Sequence, residues 1–261
     1  MHNSNLQKEK YMEIRTLGGG GRLRECERLL REGKIADLHG KILLLPIPTT
    51  RDNKYINATD KPLGSILPLV EEGTLVVGYN IPSRLYEEIV EAGGVVYDAA
   101  FDEKFLIRNA ILTAKGAIGH ILTSFDRDIC DMNIGIVGYG RIGAELLRLL
   151  LLFGCRPTVY TTRESVALEL CEMGVGAEVI SDATDFSGIT LLLNTAPARQ
   201  IDASRLSPTA HIIELASGLN FDPSERLTKL GSIPDALYPI TSGRFYAEGV
   251  EEFMLSRGGK V

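Results

Sequence analysis

The sequence has no run of basic residues, no long apolar segment, few histidines and few cysteines. Each scarcity removes a class of function. Lys and Arg number 28 against 34 Asp and Glu, a net charge of −6. The cations are dispersed, so the electrostatic footprint of a phosphate-backbone binder is missing and no nucleic-acid partner is expected. Nothing approaches the ~20 consecutive apolar residues of a membrane span; the densest run, 146–153, is broken by Arg148. The opening MHNSNLQKEK has no apolar signal-peptide core. The expected setting is cytoplasmic, with no membrane partner. The cysteines, Cys26, Cys130, Cys155 and Cys171, are far apart, with no Cys-x-x-Cys and no Cys/His cluster. They read as reduced thiols, and no metal site is expected. Of the histidines, His2 falls in a polar tail, His39 in no recognisable motif, His120 beside a helical Ala117/Ile121 face and His211 at the opening of an apolar strand. The last two read as packing residues, so no general base stands out.

Glycine is what the chain has in quantity, 27 of 261 residues, within an ordinary 44% apolar and 24% charged composition. The length allows one large domain or two small ones. Short apolar or β-branched runs alternate with amphipathic stretches. Strands are expected at 12–17, 41–45, 74–78 and 95–98, with helices at 22–32, within 62–72 and at 83–92. A second series follows residue 131: strands at 133–137, 158–162, 177–180, 189–194 and 211–216, and helices at 144–153, 164–173 and 242–256. A helix over 109–125 links the two series. This alternation predicts an α/β fold of two doubly wound domains. The expected division is 1–108, then 109–240 as a Rossmann dinucleotide-binding domain, then 241–261 as a helix packing back between them.

Gly138-Tyr139-Gly140-Arg141-Ile142-Gly143 matches Gly-x-Gly-x-x-Gly, directly after a predicted strand and at the opening of a predicted helix. Each glycine has its own task. Gly138 permits the tight turn, Gly140 lets a pyrophosphate approach the backbone, and Gly143 lets helix and strand pack closely. The free N–H groups of the helix start then face the phosphates. The plainer alternative is a tight turn with no ligand. An NAD site usually has Asp or Glu about 20 residues on. Here Thr161-Thr162-Arg163 occupies that strand end, and a guanidinium with two hydroxyls suits a 2′-phosphate. NADP is therefore expected over NAD, although Arg163 also reads as a solvated residue at a helix start. Asn194-Thr195-Ala196-Pro197 ends the next apolar strand, where the backbone and the Asn194 side chain are expected to line the nicotinamide ribose.

Several further segments carry a resemblance. They are Gly18 to Arg22, Leu44 to Pro48, Asn109 to Ala117, Glu214 to Ser217 and Pro239 to Gly243. With the glycine loop and Asn194 to Pro197, they match in order and spacing the family of the dipicolinate synthase A subunit, which is a sporulation enzyme component. The likeness runs over roughly 17–253. Gly20, Leu112 and Lys115 stand where the family has Asp, Pro and Glu, the pattern of a diverged paralogue. The resemblance implies two domains with a cleft, and pyridine-nucleotide-dependent formation of dipicolinate from a dihydrodipicolinate-type precursor. It also implies a partner, a flavoprotein-like B subunit. A homo-oligomer is expected.

A small dicarboxylate substrate calls for cations and N–H donors. Arg22, and Thr241 with Ser242, fall at predicted helix starts within the segments of resemblance, and Thr113 with Lys115 are read as beginning the linking helix proper at Ala114; Ser217 follows the strand at 211–216. These six are the expected substrate-binding residues, with Lys115 and Thr241 the catalytic candidates. Each has an ordinary alternative as a cap or a surface charge. A 2-hydroxyacid dehydrogenase would need an Arg within 218–222 and a later His, and neither is present. A shikimate-dehydrogenase-like enzyme and a non-catalytic, nucleotide-binding paralogue are the other readings.

Overall fold

The computed structural model describes residues 13–33, 40–198, 201–218 and 220–257. His2 and His39 lie outside them. The chain is of the α/β class and divides into two compact units. The first joins the N-terminal part, through Arg108, to the segment from Tyr238 onward; the second is Asn109–Leu237. The return to the first unit thus begins before residue 241. Among the described residues no helix is long and apolar enough to cross a membrane.

The first unit carries strands β1 (Glu13–Thr16), β2 (Lys41–Leu44), β3 (Leu75–Gly78) and β4 (Val95–Asp98), all parallel and in the order β1-β2-β3-β4. Both faces of this sheet are covered, which is why β2 and β3 are apolar at nearly every position rather than alternating. On one face Ile42, Leu44, Leu75 and Val77 meet helices α1 (Gly21–Glu32) and α7 (Pro239–Ser256), through Leu23, Cys26, Leu30, Tyr246 and Val250. On the other, Leu43, Leu45, Val76 and Val96 meet Leu63 and Ile66 of a 3₁₀ turn and Leu85 and Ile89 of α2 (Ser83–Glu91). Tyr246 is fully buried and its hydroxyl donates to the Leu45 carbonyl at 3.4 Å. Burying such a side chain contributes about 1.5–3 kcal/mol, tying α7 to the end of β2, 201 residues earlier in the chain.

Helix α3 (Glu103–Ser124) runs from the first unit into the second. It begins six residues before the sequence pattern predicts it (109 − 103). The charged residues Glu103, Lys104 and Arg108 mask its periodicity. Lys104 pairs with Glu252 and Arg108 with Glu248, so these charges lie along α7 in the first unit.

The second unit holds β5 (Ile134–Val137), α4 (Arg141–Leu152), β6 (Thr158–Thr161), α5 (Glu164–Glu172), β7 (Gly176–Val179), β8 (Leu191–Asn194), β9 (His211–Glu214), β10 (Leu227–Lys229) and the short α6 (Ile233–Leu237). Its sheet is wholly parallel, in the order β10-β9-β8-β5-β6-β7. The chain winds outward from β5 to β7, then returns to β5's other side as β8. That reversal is the topological switch point of a Rossmann sheet, and it opens a crevice at the carboxyl edge between the loops after β5 and β8. The edge strand β10 and α6 have no counterpart in the sequence reading. Both are short, and β10 is half-exposed, so no apolar run marks it.

Candidate functional site

Parallel pairing brings Val137, Thr161 and Asn194 to one edge of the second unit's sheet. The glycine loop leaves β5 there. Gly138 has φ +90°, a conformation that disfavours side chains, and its N–H extends the ladder by donating to the Tyr160 carbonyl at 2.8 Å. Thr195 clamps the turn, its hydroxyl donating to the Val137 carbonyl at 2.9 Å and lying 3.2 Å from that of Gly138. Gly143 packs against the loop so closely that a Cβ there would sit 2.2 Å from the Gly138 oxygen. Gly140 differs: a Cβ would meet nothing within 4 Å. It caps α4 with extended backbone, offers no side chain to the helix's first N–H groups, and no acidic residue stands in the first turn.

A cleft of about 220 Å³ opens at this point. Gly138, Tyr139, Gly140, Thr161, Thr162, Arg163, Thr195, Ala196 and Pro197, all expected at a cofactor site, line it together with Tyr160 and Ile180. Arg141, Ile142 and Gly143 stand behind the loop, as the first turn of α4. Arg163 reaches across the mouth, Nη2 donating to the Tyr139 carbonyl at 2.6 Å, while its own N–H donates to the Thr161 hydroxyl at 3.1 Å. Its guanidinium is exposed, as is Thr162, and Thr161 is buried beneath them. The residues fit a dinucleotide on two observations of shape: space at Gly140 that a side chain would fill, and a helix start whose cap residue supplies no side-chain acceptor. Burial pushes the Tyr160 hydroxyl up to about 12, with Glu178 and Asp185 adding to the shift.

Asn194 departs from its expected place. Its side chain is 2% exposed and turned inward, Nδ2 lying 2.9 and 3.0 Å from the two Glu214 carboxylate oxygens. Glu214, equally buried at the end of β9, also accepts from the Ala216 N–H at 2.9 Å. The pair spends its hydrogen-bonding capacity beneath the loop, so Asn194 props the strand ends rather than presenting an amide to the cleft. The sequence marks Glu214 only as part of the Glu214 to Ser217 segment and gives it no role; a charged residue ending an apolar strand was the available signal.

The substrate-binding expectations separate by unit. Arg22, Thr241 and Ser242 belong to the first, where two helix starts meet. A Cβ on Gly21 would strike Pro239 at 2.5 Å, and one on Gly243 would strike the Arg22 carbonyl at 2.7 Å. Arg22 and Ser242 are buried and Thr241 is half-buried. Thr113, Lys115 and Ser217 belong to the second unit. For Thr113 and Lys115 the helix-start argument fails, because α3 has already run ten residues before Thr113 (113 − 103). Thr113 is buried and donates to the Asn109 carbonyl one turn earlier at 2.9 Å. Lys115 is exposed. The hydrogen bond from Arg148 holds the Glu145 carboxyl on α4 below the usual range; burial opposes this, and Lys115's charge adds to it. His120 lies 3.2 Å from the Ser124 hydroxyl, and exposed His211 stacks edge-on against Phe125.

No protein-family model matches the sequence, and no curated protein matches it. Solved structures do. The A subunit of dipicolinate synthase from Bacillus halodurans is 19% identical, with a TM-score of 0.77 over 94% of this chain and 98% of that one. The corresponding dipicolinate synthase chain from Bacillus subtilis is 17% identical, with a TM-score of 0.73 over 94% and 96%. A transhydrogenase from Sinorhizobium meliloti is 11% identical, with a TM-score of 0.62 over 94% and 92%. The fold is that of the dipicolinate synthase A subunit, at a sequence divergence that makes the likeness one of architecture.

Proposed function

We propose that this chain is an NADP-dependent oxidoreductase acting on a small dicarboxylate, in the manner of the dipicolinate synthase A subunit. The observation that supports it best is the glycine loop at the switch point. Open space at Gly140 beside the start of α4 supports a pyrophosphate there, and Thr161, Thr162 and Arg163 lining the same cleft support a 2′-phosphate reader. When bound, the dinucleotide supplies hydride acceptance at its nicotinamide ring. The chain's own part is positional. Gly138 to Gly143 hold the phosphates through backbone N–H groups and the helix dipole. Thr195, Ala196 and Pro197 wall the crevice. The buried Asn194–Glu214 pair keeps the ends of β8 and β9 in place beneath it.

Aromatising a dihydropyridine dicarboxylate is strongly favourable, so the protein needs chiefly to orient the ring and take up a proton. Arg22, Thr241 and Ser242 at the paired helix starts, and Lys115, Thr113 and Ser217 in the second unit, are the proposed substrate contacts; Lys115 and Thr241 are the catalytic candidates. A flavoprotein-like B subunit is the proposed partner. Titration of the purified chain by nucleotide fluorescence, followed by turnover on a dihydrodipicolinate source with NADP+ as the hydride acceptor, with and without a flavoprotein, tests the reading. Tighter binding of NADPH than NADH with product formation supports it. NADPH binding without turnover under either condition favours a nucleotide-binding regulatory protein instead. Lys115→Glu should weaken a pyridine dicarboxylate sharply and leave NADPH affinity nearly unchanged.

A further inference from the structure

The edge of the second unit's sheet opposite the glycine loop carries a feature the proposed function does not use. Cys130 precedes β5 and Cys155 precedes β6, and parallel pairing of those strands brings the two residues together. Their sulfurs lie 2.8 Å apart, well inside ordinary sulfur–sulfur contact, and both are free thiols. Their backbones are fixed independently. Cys130 sits in a 3₁₀ turn capped by Asp128, whose carboxylate accepts its N–H at 2.7 Å. Cys155 closes the C-terminus of α4, its N–H donating to the Leu150 carbonyl at 3.0 Å beyond Gly154, which has φ +86°. This is the helix-ending pattern that places Gly in the left-handed region. The proximity therefore follows from two local anchors, not from one rotamer.

The two thiols differ in access. Cys130 is exposed and its sulfur also contacts the Phe153 carbonyl at 3.2 Å; Cys155 is buried but lines a cleft of about 470 Å³. Burial and the neighbouring sulfur push the Cys155 thiol up to about 12, so at neutral pH it keeps its proton. Cys130 is then the sulfur that reacts first, and Cys155 the one that resolves.

We infer that Cys130 and Cys155 form an oxidisable dithiol that hydroperoxides convert to an intramolecular disulfide. The Cys130 thiolate attacks one peroxide oxygen, the O–O bond breaks, and hydroxide leaves to take up the thiol's proton as water. Cys130 becomes a sulfenic acid. The Cys155 sulfur then attacks the Cys130 sulfur, the S–O bond breaks, and the departing hydroxide carries away Cys155's proton as a second water. Two thiols and one hydrogen peroxide give one disulfide and two waters; the sulfurs lose two electrons and the peroxide gains them. The bond encloses β5, the glycine loop and α4 in a single loop.

The test uses the intact protein, reduced, exchanged out of reductant and treated with a small excess of hydrogen peroxide. Thiols counted after denaturation should fall from four to two (4 − 2 = 2 lost). A non-reducing digest should contain one peptide joining the Cys130 and Cys155 segments, released by dithiothreitol. Cys171→Ser, which removes the other exposed thiol, should give the same linked peptide. Four surviving thiols overturn the inference. So does loss traced to Cys171 while Cys130 and Cys155 are recovered on separate peptides.

Discussion

Replacing Gly140 by valine separates binding from folding, because the structure assigns the three glycines of the loop different duties. A Cβ at 140 meets nothing within 4 Å, and the backbone there, φ −98° and ψ −164°, is extended and open to any residue. No clash is created, so the stability cost should be limited to about 1 kcal/mol for an apolar helix cap, and the fall in melting temperature to about 2–4 °C. The branched side chain would project into the space the phosphates need. Losing two charge-assisted hydrogen bonds of ~1.5–3 kcal/mol each costs ~3–6 kcal/mol, or roughly 10²–10⁴-fold in affinity. Gly143→Val is the contrasting arm. Its Cβ would lie 2.2 Å from the Gly138 oxygen and 3.1 Å from the Thr195 hydroxyl, both parts of the turn itself. It should lower the melting temperature markedly as well as abolish binding. Differential scanning fluorimetry and an NADPH titration on both variants make the comparison. A folded Gly140→Val protein that still binds NADPH would show that this loop is not the phosphate site, and an unfolded one would show that the open space at 140 is illusory.

The remaining predictions concern neighbouring residues. Arg163→Ala should weaken NADPH roughly tenfold or more, one charged hydrogen bond, and change NADH little; equal losses for both nucleotides in parallel titrations would contradict a 2′-phosphate role. Asn194→Asp would set a second carboxylate against buried Glu214, raising a folded-state pKa above its unfolded value. The resulting penalty should therefore grow as pH rises, and thermal melts at pH 5 and pH 8 should show the larger deficit at pH 8. Tyr160, raised by burial to about 12, binds its proton more tightly folded than unfolded. Its contribution is complete below pH ~10 and is lost as pH climbs through 12. In denaturant melts over that window Tyr160→Phe should show a shallower decline than the parent protein; identical slopes would place the alkaline transition elsewhere.

The sequence alone determined the second unit's plan. Strands buried on both faces must be apolar throughout, so 133–137 and 189–194 stand out without any structure, and a glycine at each required place in the first turn marks the loop proposed to hold the phosphates. Thr161 to Arg163 followed because the end of the next strand is a fixed distance onward. What depended on distant chain segments was not legible. The start of α3 hid because its first two turns spend Lys104 and Arg108 on α7, a partner more than a hundred residues away. Thr113 and Lys115 accordingly lost their standing as a helix start. Strand β10 pairs only at one edge of the sheet and needs no apolar pattern. Asn194 turned inward because its register places it beside Glu214 of the adjacent strand. Cys130 and Cys155 read as scattered thiols, because only the parallel pairing of β5 with β6 sets the residues before each strand side by side. Local pattern is written by burial and backbone geometry, which each segment carries with it; these pairings arise from register between segments, which exists only once the sheet has formed.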